Sequence, residues 1–366
     1  MKTLPIKKTV VQRAGDVEYF LSGRQTFLAP SPLPTGEHPL CPYISGYNDT
    51  FMDFGGGEPK VFTYQFNLGV PFTFSCLVAF GVPLLGGLLM LMLGDTFQDG
   101  WESSKGIFLV SGHYAFIAWF FFSTMFFLIW LYHHNLFTKV IPTRFNRQRR
   151  EVCFMPDGAT EPLFVPWEDL SAWVVQAQGA TQYGVTRQYG MGMGFEHEGE
   201  LVRVEFQCGS LQLAISNWEA VRGYMEYELN DLSTLQDPLG LQEPGDPPHE
   251  GLHTFRNARA GLHRRLREKE VGRIYAFFWY VYHVMTLWTL PNHLVEWEIK
   301  RITKVGRRAL PLAMQAWSES LPPEQWAKPS SELLRLSAKV KVLIKRHPRT
   351  PITEIYAEVY RNDSRS

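Results

Sequence analysis

The chain has 366 residues, and its 36 lysines and arginines balance its 36 aspartates and glutamates. That balance argues against a nucleic-acid partner, which would select a clear basic excess. Four cysteines (Cys41, Cys76, Cys153, Cys208) without a C-x-x-C pair exclude a disulfide scaffold and a zinc ribbon, and 45% hydrophobic residues exclude a disordered or collagen-like chain.

Residues 1–65 come first and are rich in Pro, Gly and aromatics from 25 onward, with Pro30, Pro32, Pro34, Pro39 and Pro42 close together. This reads as an irregular cytoplasmic segment laid over another part of the molecule, with room for one short strand. Asp53-Phe54-Gly55 spells the magnesium motif of a kinase. No Gly-rich loop, strand lysine or H-R-D accompanies it, so it reads as coincidence.

From Lys60 to Asp95 no charged residue intervenes, and a second charge-free stretch follows Lys105. A bilayer core of about 30 Å needs about 20 apolar residues in a helix. Spans are therefore predicted at about 70–93 and 107–131, joined as a hairpin over 66–135, with a kink at Pro83. The first run begins too late for a secretory signal. Asp95, Asp99 and Glu102 outnumber Lys105 in the connection, whereas Lys139, Arg144, Arg147, Arg149 and Arg150 follow the second span. The positive-inside rule then predicts a multi-pass protein with both termini cytoplasmic.

Over 140–232 the period becomes that of short strands: 144–147, 151–154, 163–167, 172–175, 183–185, 201–206 and 211–215. Ser216-Asn217-Trp218-Glu219 opens a helix with Trp218, Val221, Tyr224 and Met225 on one face. Antiparallel strands closed by such a helix resemble the pleckstrin-homology-like (PH-like) barrel. A Pro/Gly linker over 233–252 leads into a helical region, 253–366. There Arg264, Arg265 and Arg267 precede the aromatic run Ile274 to Leu290, and Lys300 and Arg301 follow it. A third span would carry the basic C-terminus outside, against the charge rule. The run's Tyr and Trp content suits the interface, so a membrane-associated helix is predicted over 274–290, packed on the spans or lying in the cytoplasmic interface. Leu333, Leu336, Val340 and Leu343 form a helical stripe, and Thr350-Pro351 opens a last short helix. The fold class is an α+β membrane protein: a two-helix transmembrane hairpin, a cytoplasmic PH-like β domain and a C-terminal helical region.

The histidines do not form a ligand set. His133-His134 reads as a snorkelling interface pair, Glu196-His197-Glu198 as a hairpin tip, and His249, His253 and His263 give no i, i+4 pair on one helix face, since His249 falls in the linker. Gly190-Met191-Gly192-Met193-Gly194 has no P-loop lysine or following helix to cradle a phosphate, and no G-x-S-x-G is present. No catalytic residue, cofactor or metal is assigned, and the chain is read as not an enzyme. Arg144, Arg147, Arg149, Arg150, Arg264, Arg265, Arg267, Lys300 and Arg301 sit beside hydrophobic runs, where anionic lipid headgroups are the nearest counter-charge. For a protein partner the candidate is the segment Gln176 to Glu200, read as a hairpin loop. It carries Tyr183, Arg187, Tyr189, Met191 and Met193 among Gly and Gln. A mobile loop with no role is the alternative.

The order of parts carries a resemblance. Two spans, then IPTRFNRQRREVCF, VPWEDL and NWEAVRGYMEYE, and finally the aromatic run into TLPNHLVEWEIKRI resemble a family of bacterial membrane proteins of unknown function, DUF6708. The resemblance extends from about the first span to residue 310. It implies a bacterial inner-membrane protein encoded near type VI secretion effectors, hence an immunity protein that binds and neutralises a cognate effector toxin. The alternative is a membrane-anchored accessory or assembly factor of a secretion system. A homo-oligomer is compatible with either, and the resemblance carries over no functional residue.

Overall fold

The computed structural model describes residues 12–363 apart from 56–58, 138–140, 157, 182–183, 233–234, 236–239, 244, 248 and 306–309, and without the side chains of 136–137, 180–181, 184–186, 303 and 305. In chain order come β1 (Val17–Phe20), β2 (Gly23–Ala29), β3 (Ile44–Tyr47) and β4 (Phe51–Phe54), then the long helices α1 (Val61–Met92) and α2 (Phe97–Phe137). Six strands follow: β5 (Thr143–Asn146), β6 (Glu151–Phe154), β7 (Leu163–Pro166), β8 (Ser171–Thr181), β9 (Gly184–His197) and β10 (Glu200–Cys208). The remaining helices are α3 (Leu211–Met225), α4 (Leu252–Arg267), α5 (Arg273–Met285), α6 (Leu290–Val305), α7 (Leu312–Trp317), α8 (Ser331–Arg346) and α9 (Ile352–Asp363). Two units alternate along the chain. The first takes Met1–Gly57, Ile141–Pro238 and Leu310–Ser366, and the second takes Glu58–Val140 and Leu239–Ala309. The contiguous blocks expected from sequence are thus replaced by a β unit into which the helical hairpin is inserted.

The first unit holds two antiparallel five-stranded sheets, ordered β1-β2-β8-β9-β10 and β3-β4-β5-β6-β7. The N-terminal segment is therefore not irregular. It supplies two strands to each sheet: β1 pairs β2 and β3 pairs β4, while β2 and β4 satisfy their other edges against β8 and β5, which come far later in the chain. Alternation on the inner faces puts Met52, Phe54, Phe145, Val152, Phe154, Ala172, Val174, Met191 and Met193 into one buried core. Helix α3 closes it with Trp218, Val221, Tyr224 and Met225, as its apolar face predicts. The helix starts earlier than expected, because Ser210 Oγ accepts from the Leu213 N–H at 3.1 Å and caps it. Residues 211–215 are thus its first turns and not a strand.

The proline-rich chain after β2 lies over other parts of the unit, as its composition suggests. Leu33 joins the cluster made by Leu333, Leu336, Val340, Ile355, Tyr356 and Val359, so the predicted stripe of α8 and the last helix α9 both find their partner here. The Tyr356 hydroxyl donates to the carbonyls of Leu33 and Pro34 at 3.0 and 3.1 Å, and Thr35 Oγ1 donates to Glu219 at 2.8 Å. Glu228 ties the end of α3 to α8. Burial alone would raise its carboxyl, but hydrogen bonds and charge from Arg222 and Lys341 bring it down to about 2. A depressed folded-state value makes this tie fully present above the ordinary carboxylate range and lost only as pH falls through about 2.

In the second unit α1 is one 32-residue rod with two widened π turns, Gln65–Gly69 and Leu77–Gly81, lying just ahead of Pro71 and Pro83. A proline has no N–H to give and its ring crowds the carbonyl one turn back, and the wider turn relieves that clash. Helix α2 packs against α1 through small residues. A Cβ on Gly87 would lie 2.0 Å from Ser104 Oγ and 2.9 Å from the Gly100 carbonyl, so only glycine allows this approach. The apolar windows of α1 and α2 have mean hydropathies of 2.2 and 1.9, with only 11% and 6% buried in protein. Both helices are long and apolar enough to cross a membrane. The aromatic run is not one helix. Helix α5 has 13 residues, about 20 Å at 1.5 Å per residue, shorter than a bilayer core. Leu287 and Trp288 then turn the chain with φ of 68° and 53° before α6 begins.

Candidate functional site

Three of the arginines that follow α2 are buried inside the first unit, which corrects their assignment to lipid headgroups. Arg144, Arg147 and Arg150 are 6%, 4% and 6% exposed. Arg144 grips Asp53 with two hydrogen bonds of 2.7 and 2.8 Å and lies 3.7 Å over the Phe51 ring. Arg147 bonds the Asp49 carbonyl at 3.0 Å and sits against the Tyr224 and Tyr227 rings. Arg150 reaches both oxygens of Glu226 at 3.1 and 2.9 Å and Glu168 at 3.2 Å, and Trp167 Nε1 donates to the same Glu226 at 2.8 Å. The half-buried Arg149 donates to the Trp317 carbonyl at 2.9 Å. A guanidinium is retained in a low-dielectric interior only where carboxylates and carbonyls meet it. These side chains therefore hold β4, α3 and the segment after α7 together. Asp53, the acid of the kinase-like string, is one of their partners.

Apart from a turn at Glu198-Gly199, the described residues of the segment Gln176 to Glu200 are strand and not loop. Met191 and Met193 are 1% and 0% exposed in the core, Tyr189 is half-buried, Arg187 is exposed, and Tyr183 lies outside the described residues. Glu198 and Gly199, with φ of 53° and 81°, form the two-residue turn between β9 and β10, where a hairpin tip was expected. The alternating glycines make one face of β9 flat. A Cβ on Gly192 would lie 2.3 Å from Trp173 Nε1, so the glycine lets the indole rest on the strand while the methionines fill the opposite face.

What stays exposed is one end of the first sheet. β2 pairs β8 only as far as Ala177, and β10 pairs β9 only as far as Tyr189, so β8 and β9 continue past both neighbours as a two-stranded ribbon. Beside it stands the turn between β1 and β2, tied on by the Gln178 N–H donating to the Ser22 carbonyl at 2.6 Å. Tyr19, Phe20 and Leu21 are all exposed there. An open cavity of about 570 Å³ is lined by Tyr19, Leu21, Arg24, Gln176 and Gln178 among others. Its lining has aromatic and aliphatic anchors, a guanidinium and amides, but no carboxylate, imidazole or thiol. Such a surface, with large apolar side chains beside a guanidinium and amides, has the composition of a binding patch. Sequence reading places a partner-binding loop in this segment, where the structure has a ribbon, and misses Tyr19-Phe20-Leu21, whose signal is three large apolar residues ahead of Ser22-Gly23.

The second unit carries a different surface. Arg264, Arg265, Arg267, Lys300 and Arg301 are exposed, and α5 presents Ile274, Phe277, Phe278 and Val284 to its surroundings. Arg265 lies over the Tyr275 ring at 5.7 Å and Arg301 over Trp297 at 5.4 Å, the mixture of cation and amphipathic ring that headgroup regions favour. Helix α6 is pinned to the hairpin by Glu298, which accepts from the Tyr64 hydroxyl and from Trp130 Nε1 at 2.9 Å. His134 stacks on Trp130 with its Nδ1 3.6 Å from Glu298, and is buried. Only His133 of the expected snorkelling pair is exposed.

Comparison of the chain with protein-family models, with curated proteins and with solved structures finds no match.

Proposed function

We propose that the chain is a membrane-anchored, non-enzymatic binding protein, in which α1 and α2 cross a bilayer as a hairpin and the first unit captures a protein partner at the ribbon end of its sheet. The observation that carries this reading is the pairing of β4 with β5, from Phe51↔Asn146 to Phe54↔Thr143. These strands lie immediately before α1 and after α2, and hydrogen-bonded neighbours share one side of any membrane. The stretch between them must then cross an even number of times, and it holds two helices able to do so. The excursion from Leu239 to Ala309 likewise leaves and rejoins the first unit. This favours α5 as an interfacial helix whose basic neighbours Arg264, Arg265, Arg267, Lys300 and Arg301 meet anionic lipids.

The charge asymmetry favours a cytoplasmic side for both termini. The DUF6708 resemblance adds the bacterial inner membrane and the partner class: a cognate type VI effector toxin, neutralised by binding. Exposed aromatic and aliphatic anchors beside Arg187 suit a protein surface. The test co-expresses the full chain with the effector encoded beside it and measures capture from solubilised membranes. Leu21→Asp combined with Arg187→Ala is expected to weaken capture by about 1–3 kcal/mol, roughly tenfold to a hundredfold, with melting temperature unchanged. Wild-type affinity in the folded double variant would remove this end of the sheet from the interface. Recovery of apparatus subunits in place of a toxin would favour the assembly-factor reading.

A further inference from the structure

We propose that two copies of this chain join through the free edge of β10, in antiparallel register centred on Val204 and selected by Arg203 and Glu205. The proposal does not depend on the partner reading above. β10 pairs β9 along its whole length, from Glu200↔His197 to Cys208↔Tyr189, and among the described residues no strand pairs on its other side. It has nine residues, against four in each of the other edge strands β1, β3 and β7. A long unpaired edge is a template for another strand.

The direction of its backbone groups fixes what can pair. The carbonyls of Val202 and Phe206 face Gly194 and Gly190 on β9, so the even-numbered residues bond inward. The Gln207 carbonyl faces outward, where the Tyr43 hydroxyl donates to it at 2.7 Å and closes that end. Leu201, Arg203 and Glu205 therefore present their N–H and C=O groups outward, with side chains on the solvent face. A second copy related by a twofold axis must run antiparallel and oppose outward residues to outward residues. Only centres at 203, 204 and 205 keep both Arg203 and Glu205 opposite residues of the other strand.

Charge then chooses among these three. A centre at 203 sets each Arg203 against its own copy, and a centre at 205 does the same with Glu205. Like charges directly opposite are destabilising. The centre at 204 sets each Arg203 against the Glu205 of the other copy, giving two cross-strand ion pairs. In the single chain these two side chains are 3.4 Å apart and about half exposed. On the inner face the same register opposes Val202 to Phe206 and Val204 to itself, and all three are half-buried in one copy.

The test uses the full chain. In this register the two Val204 form a non-hydrogen-bonded antiparallel pair, with Cα atoms about 4.5 Å apart, within reach of a disulfide. Val204→Cys in membranes treated with copper phenanthroline should give a cross-linked dimer above the wild-type background, and Val202→Cys, which opposes Phe206, should not. In detergent, sedimentation velocity should show a wild-type dimer that Arg203→Glu weakens by about tenfold or more. The double swap R203E/E205R restores the complementary pattern and should recover the dimer. A monomeric wild type, including one whose edge takes a strand from a different protein, overturns the proposal. So does a dimer indifferent to Arg203→Glu, or a folded double swap that fails to recover.

Discussion

Arg150→Ala is expected to destabilise the first unit by about 3–5 kcal/mol, the cost of leaving a buried carboxylate without its cation. Glu226 is the group left behind, with its side chain 12% exposed. It would keep only the Trp167 indole as a donor among the partners described here, and Glu168 would lose its guanidinium as well. The neighbouring Arg149→Ala is the control. That side chain is half-buried and its described bond runs to the Trp317 carbonyl, so its loss costs about 1 kcal/mol. Urea unfolding of the detergent-solubilised chain, followed by tryptophan emission, measures both. Equal midpoints for the two variants would mean that Arg150 is not a tie between β5, β6 and α3.

Trp218→Ala should cost a similar amount, about 3–5 kcal/mol, for a different reason. Trp218 and Trp167 are both fully buried, with ring centroids 5.2 Å apart and planes tilted by 30°, where α3 closes the core. Truncation leaves a cavity that surrounding strands cannot collapse to fill. Trp218→Phe separates packing from polarity. The indole Nε1 has no described acceptor, so phenylalanine keeps much of the ring contact and gives up no hydrogen bond. Its expected cost is below about 1.5 kcal/mol. A phenylalanine variant as unstable as the alanine one would mean that the indole nitrogen is bonded after all.

Sequence reading succeeds where a signal is local. The charge-free runs of α1 and α2, the stripe Leu333-Leu336-Val340 and the proline that opens α9 are each visible within a few turns of chain. It fails where the partner is distant. β1 to β4 have four to seven residues each and are interrupted by prolines, and what makes them strands is β5 and β8, which follow α1 and α2. The arginines Arg144 to Arg150 read as a membrane-flanking cluster because their acids, Asp49, Asp53, Glu168 and Glu226, come from three separate stretches. The glycine-methionine alternation reads as a loop in the sequence because glycine signals freedom by default. Only Trp173 on the adjacent strand shows that the small face is a packing surface.

In the proposed topology α1 and α2 cross a bilayer as a hairpin while the chain on either side of it stays together. Cysteine accessibility in intact and permeabilised cells tests it most directly, with single cysteines at Ser22, Gln98, Lys269 and Lys304, all exposed positions. A membrane-impermeant maleimide added outside should label Gln98→Cys alone. The other three should label only after the inner membrane is opened. Labelling of Ser22→Cys and Gln98→Cys from the same side, or of Lys269→Cys and Lys304→Cys from opposite sides, would contradict the account.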